Sequence, residues 1–137
     1  MSDYRPIDFA APPPRVCPAT RVFDLIAHKW TLAIIHTMHF NKRPIRFREL
    51  QRKVGSITPK ELTKRLRELE RAGLATRTIF AEVPPRVEYA LTHLAETLNP
   101  LLASLHQWAD DHADEVDANR HQFDQAQAVE ANSDLVI

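Results

Sequence analysis

Two glycines and one cysteine are all that the 137 residues contain of either type. A single cysteine excludes an intrachain disulfide framework and a zinc site built from thiolates. Gly55 and Gly73 alone cannot supply a glycine-rich phosphate loop, which needs several positions without a Cβ. No hydrophobic run approaches the ~20 residues that span a bilayer, and the N-terminus lacks a secretory leader pattern. A cytoplasmic protein that does not enter membranes is the expectation. No nucleophile–base pattern is evident. His36 and His39 stand at helical spacing, yet no carboxylate or thiol completes a metal site with them. No cofactor, metal or catalytic residue is therefore expected, and the enzyme class has little support.

Basic residues are also missing, but only from one end. From Val87 to Ile137 there is one Arg against 10 acids, a net of −9. From Lys42 to Arg86 there are 13 Lys or Arg against 5 acids, a net of +8. The overall charge of zero thus conceals a strongly cationic middle. A local patch sets the field that a polyanion meets, so neutrality of the whole does not argue against nucleic acid.

Hydrophobic content of 44% and charged content of 26% are ordinary for a soluble domain, and the length suits one domain with a modest core. Residues 1–16, with Pro6 and the run Pro12 to Pro14, read as an extended arm. Residues 17–114 read as the domain, and residues 115–137 as an acidic, flexible tail. Pro18 suits a helix start. Arg21 to Phe40 is apolar enough for one largely buried helix, a central strut that includes Trp30. Asn41 to Pro44 is a polar break. Ile45 to Phe47 has strand character, and a short helix runs from Phe47 to Val54.

The most complete local signal follows. Thr58 can cap free amides, Pro59 suits the first helical position, and Glu61 is spaced to close a capping box. Ile57 and Leu62 are spaced as a hydrophobic staple, and Gly73 ends the helix. Leu62, Leu66 and Leu69 make an apolar stripe. Lys60, Thr63, Lys64, Arg67 and Arg71 fall on the other side. Such a face suits a DNA major groove, and it also suits plain solvation on a small bundle. The flanks decide between these. A short helix, a Gly55-Ser56 turn and a second helix with a basic face form a helix-turn-helix. Leu74 to Phe80 and Arg86 to Leu91 then alternate as strands, with Ala81 to Pro85 as a hairpin tip. Arg77 and Arg86 are placed to touch backbone or minor groove from this wing, although Arg86 can instead pair with Glu82 or Glu88.

Thr92 begins a further helix, and Pro100 within it predicts a kink. Its apolar set, including Leu98, Leu101, Leu102, Leu105 and Trp108, is large for a terminal helix. Packing on the Arg21–Phe40 helix would use it, and so would a dimer interface shared with Trp30. Cys17, beside Pro18 and near Arg15 and Arg21, is either a thiolate-prone switch or a small buried packing residue.

These residues resemble the HxlR-type winged helix-turn-helix transcriptional regulators of the MarR-like superfamily. The resemblance runs from Cys17 to about His112. It rests on Cys17-Pro18, Asp24-Leu25-Ile26 with Lys29-Trp30-Thr31-Leu32, and Arg46-Phe47-Arg48-Glu49-Leu50-Gln51. It continues through Ile57-Thr58-Pro59-Lys60, Leu62-Thr63, Arg65-Leu66-Arg67-Glu68-Leu69-Glu70, and Glu82 to Tyr89 with Leu91-Thr92. It departs at Ala27-His28, where the family usually has glycine or another small or polar residue before Lys-Trp, and at Ala95, where it usually has glycine after Leu-Thr-x-Leu. The resemblance implies an α+β, mostly α fold, in which extra terminal helices form the interface of a homodimer. It implies binding to duplex DNA at a pseudo-palindromic operator, repression as the output, and a redox, electrophile or small-molecule signal, with Cys-Pro serving as sensor in some members. The site residues then comprise Arg46, Thr58, Lys60, Thr63, Lys64, Arg67, Arg71, Arg77 and Arg86. The competing reading is a winged-helix interaction module that has lost DNA binding.

Overall fold

A computed structural model describes residues 19–135, which form two compact units meeting between Glu96 and Thr97. The first unit runs α1 (Thr20–Ile26), α2 (Lys29–Asn41), β1 (Ile45–Arg46), α3 (Phe47–Val54), α4 (Pro59–Arg71), β2 (Ala75–Phe80), β3 (Arg86–Leu91) and α5 (His93–Glu96). The second is α6 (Asn99–Ser133). Cys17 and the N-terminal arm lie outside the described residues.

The core of the first unit lies where α2, α3 and α4 meet the small sheet. Ile34, Ile35, Ile45, Leu50, Leu62, Leu66 and Leu69 are essentially inaccessible to solvent. Each fully buried side chain of this size contributes about 1.5–3 kcal/mol from water exclusion. Both α3 and α4 pack on α2, and α4 also packs on β2. The sheet is antiparallel in the order β1-β3-β2. Ile45 faces Tyr89 across β1 and β3, and Phe80 faces Arg86 at the outer end of the β2–β3 ladder. Pro84 and Pro85 fall in the tip beyond that last rung, where no ladder amide is needed.

The expected single helix from Arg21 to Phe40 is two. Ala27 ends α1, and His28 adopts an extended conformation with its Nδ1 accepting from the Trp30 amide at 3.2 Å. An imidazole thus supplies the cap usually provided by a short polar side chain. The buried residues of α2 are Thr31, Ile34, Ile35 and Met38, whereas Val22, Phe23 and Phe40 stand exposed. The strut is less buried than its composition implies. Lys42, with φ of 54°, ends α2 in the left-handed region.

The last helices also differ from expectation. The Thr92 hydroxyl accepts from the Ala95 amide at 3.3 Å, starting a single turn that ends at Glu96. The same hydroxyl donates to the Gly73 carbonyl at 2.6 Å, tying the end of α4 to the end of the wing. Pro100 does not kink a helix interior. It occupies the first turn of α6, where its missing N–H costs nothing. Where the sequence predicts a flexible tail from residue 115, the chain is helical through Ser133. Past Pro100 there is no Gly or Pro, and Ala, Gln and Glu are good helix formers.

The α4 boundaries match their local signals. Thr58 Oγ1 accepts from the Glu61 amide at 3.2 Å, and Pro59 is in the first turn. At the other end the Leu74 amide donates to the Leu69 carbonyl at 2.9 Å and the Gly73 amide to Glu70 at 3.1 Å. These are the two bonds of a Schellman motif. Gly73 has φ of 74°, which an L side chain would resist. Removing the cap should be measurable: Thr58→Ala should lower unfolding stability by about 1 kcal/mol. Urea denaturation followed by circular dichroism checks this, and an unchanged midpoint would show that the hydroxyl does not carry the cap.

Candidate nucleic-acid interface

The helix-turn-helix is α3, a turn at Gly55-Ser56, and α4. Gly55 has φ of 109°, a backbone state closed to most side chains, so glycine is needed where the chain reverses. The Gln51 side-chain amide donates to the Ile57 carbonyl at 3.2 Å and bridges the turn from its first helix. Ile57 and Leu62 are both buried at the start of α4, as a staple requires.

With Leu62, Leu66 and Leu69 inward, the opposite face of α4 must point outward. Lys60, Thr63, Lys64, Arg67 and Arg71 are all exposed. Among the described residues, none of the four cations in this set makes an ion pair. Arg65 is the contrasting case. Its side chain is only 12% exposed, with Nε 2.9 Å from Glu61 Oε1 and Nη1 3.0 Å from Glu68 Oε2. The helix therefore carries five cations, of which one is neutralised along the side of the helix and four project freely.

Glu61 does not reach back to complete a capping box. The Arg65 hydrogen bond claims it, and His28 Nε2 lies 3.8 Å away. That hydrogen bond from Arg65 holds the Glu61 carboxyl below its ordinary value, against partial desolvation, with the charges of Arg65, His28 and Lys64 assisting. Because folding lowers this pKa, the associated stability is present at neutral pH and is lost as pH falls through the depressed value. The anchoring of Arg65 is thus intact wherever the protein meets DNA near neutrality.

The flanking cations divide similarly. Arg46 is exposed at the cap of α3, in register with Glu88 on β3. On α3, Arg48 and Arg52 are exposed one turn apart and are not ion-paired among the described residues. Sequence reasoning missed this pair, although the i, i+4 spacing opposite Leu50 was available as a signal. Lys53 is instead held by Glu49 at 3.3 Å and by the Asn41 side-chain oxygen at 2.7 Å.

The wing arginines are tied back to the protein. Arg77 Nε lies 3.7 Å from Glu70 Oε1. Arg86 lies 3.3 Å from Glu82 and 3.6 Å from Glu88, with its guanidinium 4.1 Å from the Phe80 ring centroid. The Phe80–Arg86 rung puts ring and guanidinium across from each other, and the two carboxylates close around them. The structural alternative for Arg86 is therefore the arrangement seen. Ion pairs on a partly exposed surface are weak enough to exchange for a phosphate.

The residues expected at a dimer interface are divided between the units. Trp30 is half-buried beneath Lys29, whose Nζ lies 5.0 Å from its ring. In the second unit Leu98 and Leu102 are partly covered, while Leu101, Leu105 and Trp108 are exposed. Among the described residues no group of three or more His, Cys, Asp or Glu is placed to hold a metal. His39 Nδ1 lies 2.9 Å from Glu96 Oε2. No helix among the described residues is long and apolar enough to cross a membrane.

Comparison with known proteins agrees with this architecture. The HxlR-like helix-turn-helix family model matches residues 25–117. The HTH-type transcriptional regulator YdeP of Bacillus subtilis is 35% identical over 115 residues, covering 84% of each chain. The redox regulator HypR in its reduced form superposes with a TM-score of 0.67 at 35% identity, over 74% of this chain and 98% of that one. The reduced transcriptional regulator YodB of B. subtilis gives 0.61 at 32% identity, over 69% and 92%. The overall fold of this chain is thus shared with solved transcriptional regulators. This chain belongs to the HxlR-like helix-turn-helix family of transcriptional regulators.

Proposed function

We propose that this regulator binds a pseudo-palindromic operator as a homodimer and represses from it, with α4 entering the major groove. The single observation that carries this reading is the sorting of charge on α4. Four exposed cations have no ion-pair partner among the described residues, on the face opposite three buried leucines. Lys60, Thr63, Lys64 and Arg67 lie along the part of the helix best placed for base edges, and Arg71 is suited to phosphate. Lys and Arg pair with guanine O6 and N7, and a threonine methyl packs on the thymine methyl. Thr58 belongs to the interface by setting the angle of the first turn. Arg46 and the newly recognised Arg48 and Arg52 extend the cationic surface along α3.

Arg77 and Arg86 take a secondary place as backbone contacts. Each would exchange an internal carboxylate for a phosphate. Such contacts position the protein without reading sequence. Two-fold symmetry would set the two α4 helices one DNA turn apart, roughly 34–36 Å, or a multiple of it. Repression is the output we assign, as the simplest consequence of occupying duplex at a promoter. Binding chromosomal DNA places the protein in the cytoplasm.

Redox or electrophile input through Cys17 is the second element of the reading. Its support is the likeness to a protein described as a redox regulator, together with the Arg15 and Arg21 that flank Cys17 in sequence. As the chain's only cysteine it can form a sulfenic acid, a mixed disulfide or a bridge to its counterpart in the dimer. A small-molecule effector is the alternative input.

Two measurements test these assignments. Lys64→Ala should weaken operator binding by about 1–3 kcal/mol if the residue meets a base, or reduce the salt slope by about one if it meets a phosphate. Fluorescence anisotropy over a salt series separates the two. Unchanged affinity together with an unchanged slope would remove α4 from the reading role and favour the interaction-module alternative. For the input, diamide should release wild type from its operator while sparing Cys17→Ser. Equal responses of the two proteins would make Cys17 structural.

A further inference from the structure

The His28 ring stands between the start of α2 and the start of the recognition helix. Its Nδ1 accepts from the Trp30 amide at 3.2 Å and caps α2, while its Nε2 lies 3.8 Å from Glu61 Oε1 in the first turn of α4. The two side chains are 35% and 31% exposed, so solvent screens this pair less than it screens one in the open. Helices α2 and α4 also pack against each other. Ala27-His28 is one of the two places where this chain departs from the family pattern, so the role of the ring must be read from its own contacts.

Those contacts make different demands on the imidazole. A backbone amide only donates, so the nitrogen that accepts from Trp30 carries no proton. In the neutral ring the single N–H is therefore on Nε2, the nitrogen nearer Glu61. At 3.8 Å the carboxylate is too far for a hydrogen bond and close enough to feel a charge. Protonation gives both ring nitrogens a hydrogen. Nδ1 can then no longer accept, and two N–H groups would oppose each other at the cap. Nε2 meanwhile stands with a full charge opposite a carboxylate. The neutral ring serves α2, and the cationic ring serves α4.

Glu61 is placed to receive that charge. Arg65 Nε donates to its Oε1 at 2.9 Å, and Arg65 Nη1 donates to Glu68 Oε2 at 3.0 Å. A carboxylate has room for several donors, so an imidazolium can join Arg65 without displacing it. The other charged groups at this junction are Lys64 of α4, Lys29 with its Nζ 5.0 Å from the Trp30 ring, and Asp24, exposed on α1. Glu61 adjoins Lys60 and precedes Lys64 by three residues. A cation added beside it raises the potential of the turn that carries both lysines.

We propose that His28 is a positioning residue for α4, and that on taking up a proton from solvent its ring exchanges the Trp30 cap for a charge pair with Glu61. The first turn of α2 is then released and the first turn of α4 gains a cation. Operator affinity accordingly rises as pH falls through the range in which histidine titrates. The proposal rests on the reading of α4 as the recognition helix, but its chemistry is testable without DNA.

The first arm of the test uses the free full-length protein, with backbone amide and arginine Nε resonances followed by NMR from about pH 8 to pH 5. In wild type the Trp30 amide and the Arg65 Nε should both shift in step with the His28 ring. His28→Asn keeps a capping side chain without a titrating group, so both shifts should vanish. In Glu61→Gln the Trp30 shift should remain while the Arg65 response is lost. A Trp30 amide that does not follow the ring would overturn the exchange. The second arm measures affinity for a duplex selected from a random pool over the same range. Acidification should tighten wild type about two- to fivefold more than His28→Asn, and the two should bind alike at the alkaline end. Parallel profiles would leave His28 a cap alone and overturn the positioning role. If no duplex is selected at any pH, the recognition reading fails and the positioning role with it, whereas the first arm still decides the exchange.

Discussion

Burial of Leu62, Leu66 and Leu69 on one side of α4 is the constraint on which the rest of the interface depends. Three leucines at zero or near-zero exposure fix the rotation of the helix about its own axis. Lys60, Thr63, Lys64, Arg67 and Arg71 face solvent as the geometric consequence. The Thr58 cap and the Schellman motif at Gly73 fix where the helix begins and ends. Axial rotation and axial position together set which side chains can reach a base edge. The turn at Gly55, the packing on α2 and the wing behind β2 serve to hold that one helix.

Electrostatics refines what packing begins. Arg65 lies on the flank of α4, between core and outer face, and its two carboxylate partners compensate it there. The free cations lie where water screens them and a polyanion can displace their counterions. The wing behaves differently, because the Arg86 guanidinium is already surrounded by Phe80, Glu82 and Glu88. A contact with DNA there would have to replace existing interactions, whereas α4 would gain charge pairs without losing any. This asymmetry is what favours, in the proposed function, reading by the helix and support from the wing.

Local signals were the legible ones. The Thr58 cap of α4, the glycine at its end, the extent of α3 and the places of the two wing strands all depend on neighbours within a few residues, and all appear where expected, although β3 is half-buried along its whole length rather than alternating. The break between α1 and α2 was hidden because histidine is not a usual cap, and its role emerges only when its ring meets the Trp30 amide. Glu61 carries the signature of a capping box, but Arg65 one turn later offers a charged partner that wins. Pro100 reads as a kink only if the helix is assumed to start at Thr92. Once Thr92 closes a separate turn, the proline is an initiator. The Arg77–Glu70 pair joins residues on different elements, so spacing along the chain gave no sign of it, whereas the Arg86 pairs are local and sequence could offer them as one option. The helicity of residues 115–133 follows from composition that also suits a disordered acidic tail.

The central claim is that α4 reads base edges in the major groove. Its most direct test is dimethyl sulfate footprinting on duplexes that the protein has selected from a random pool. The account predicts a pseudo-palindromic consensus with guanine N7 protected in two major-groove segments about one helical turn apart or a multiple of it. A pool that yields no consensus, or protection confined to adenine N3 in the minor groove, would contradict it.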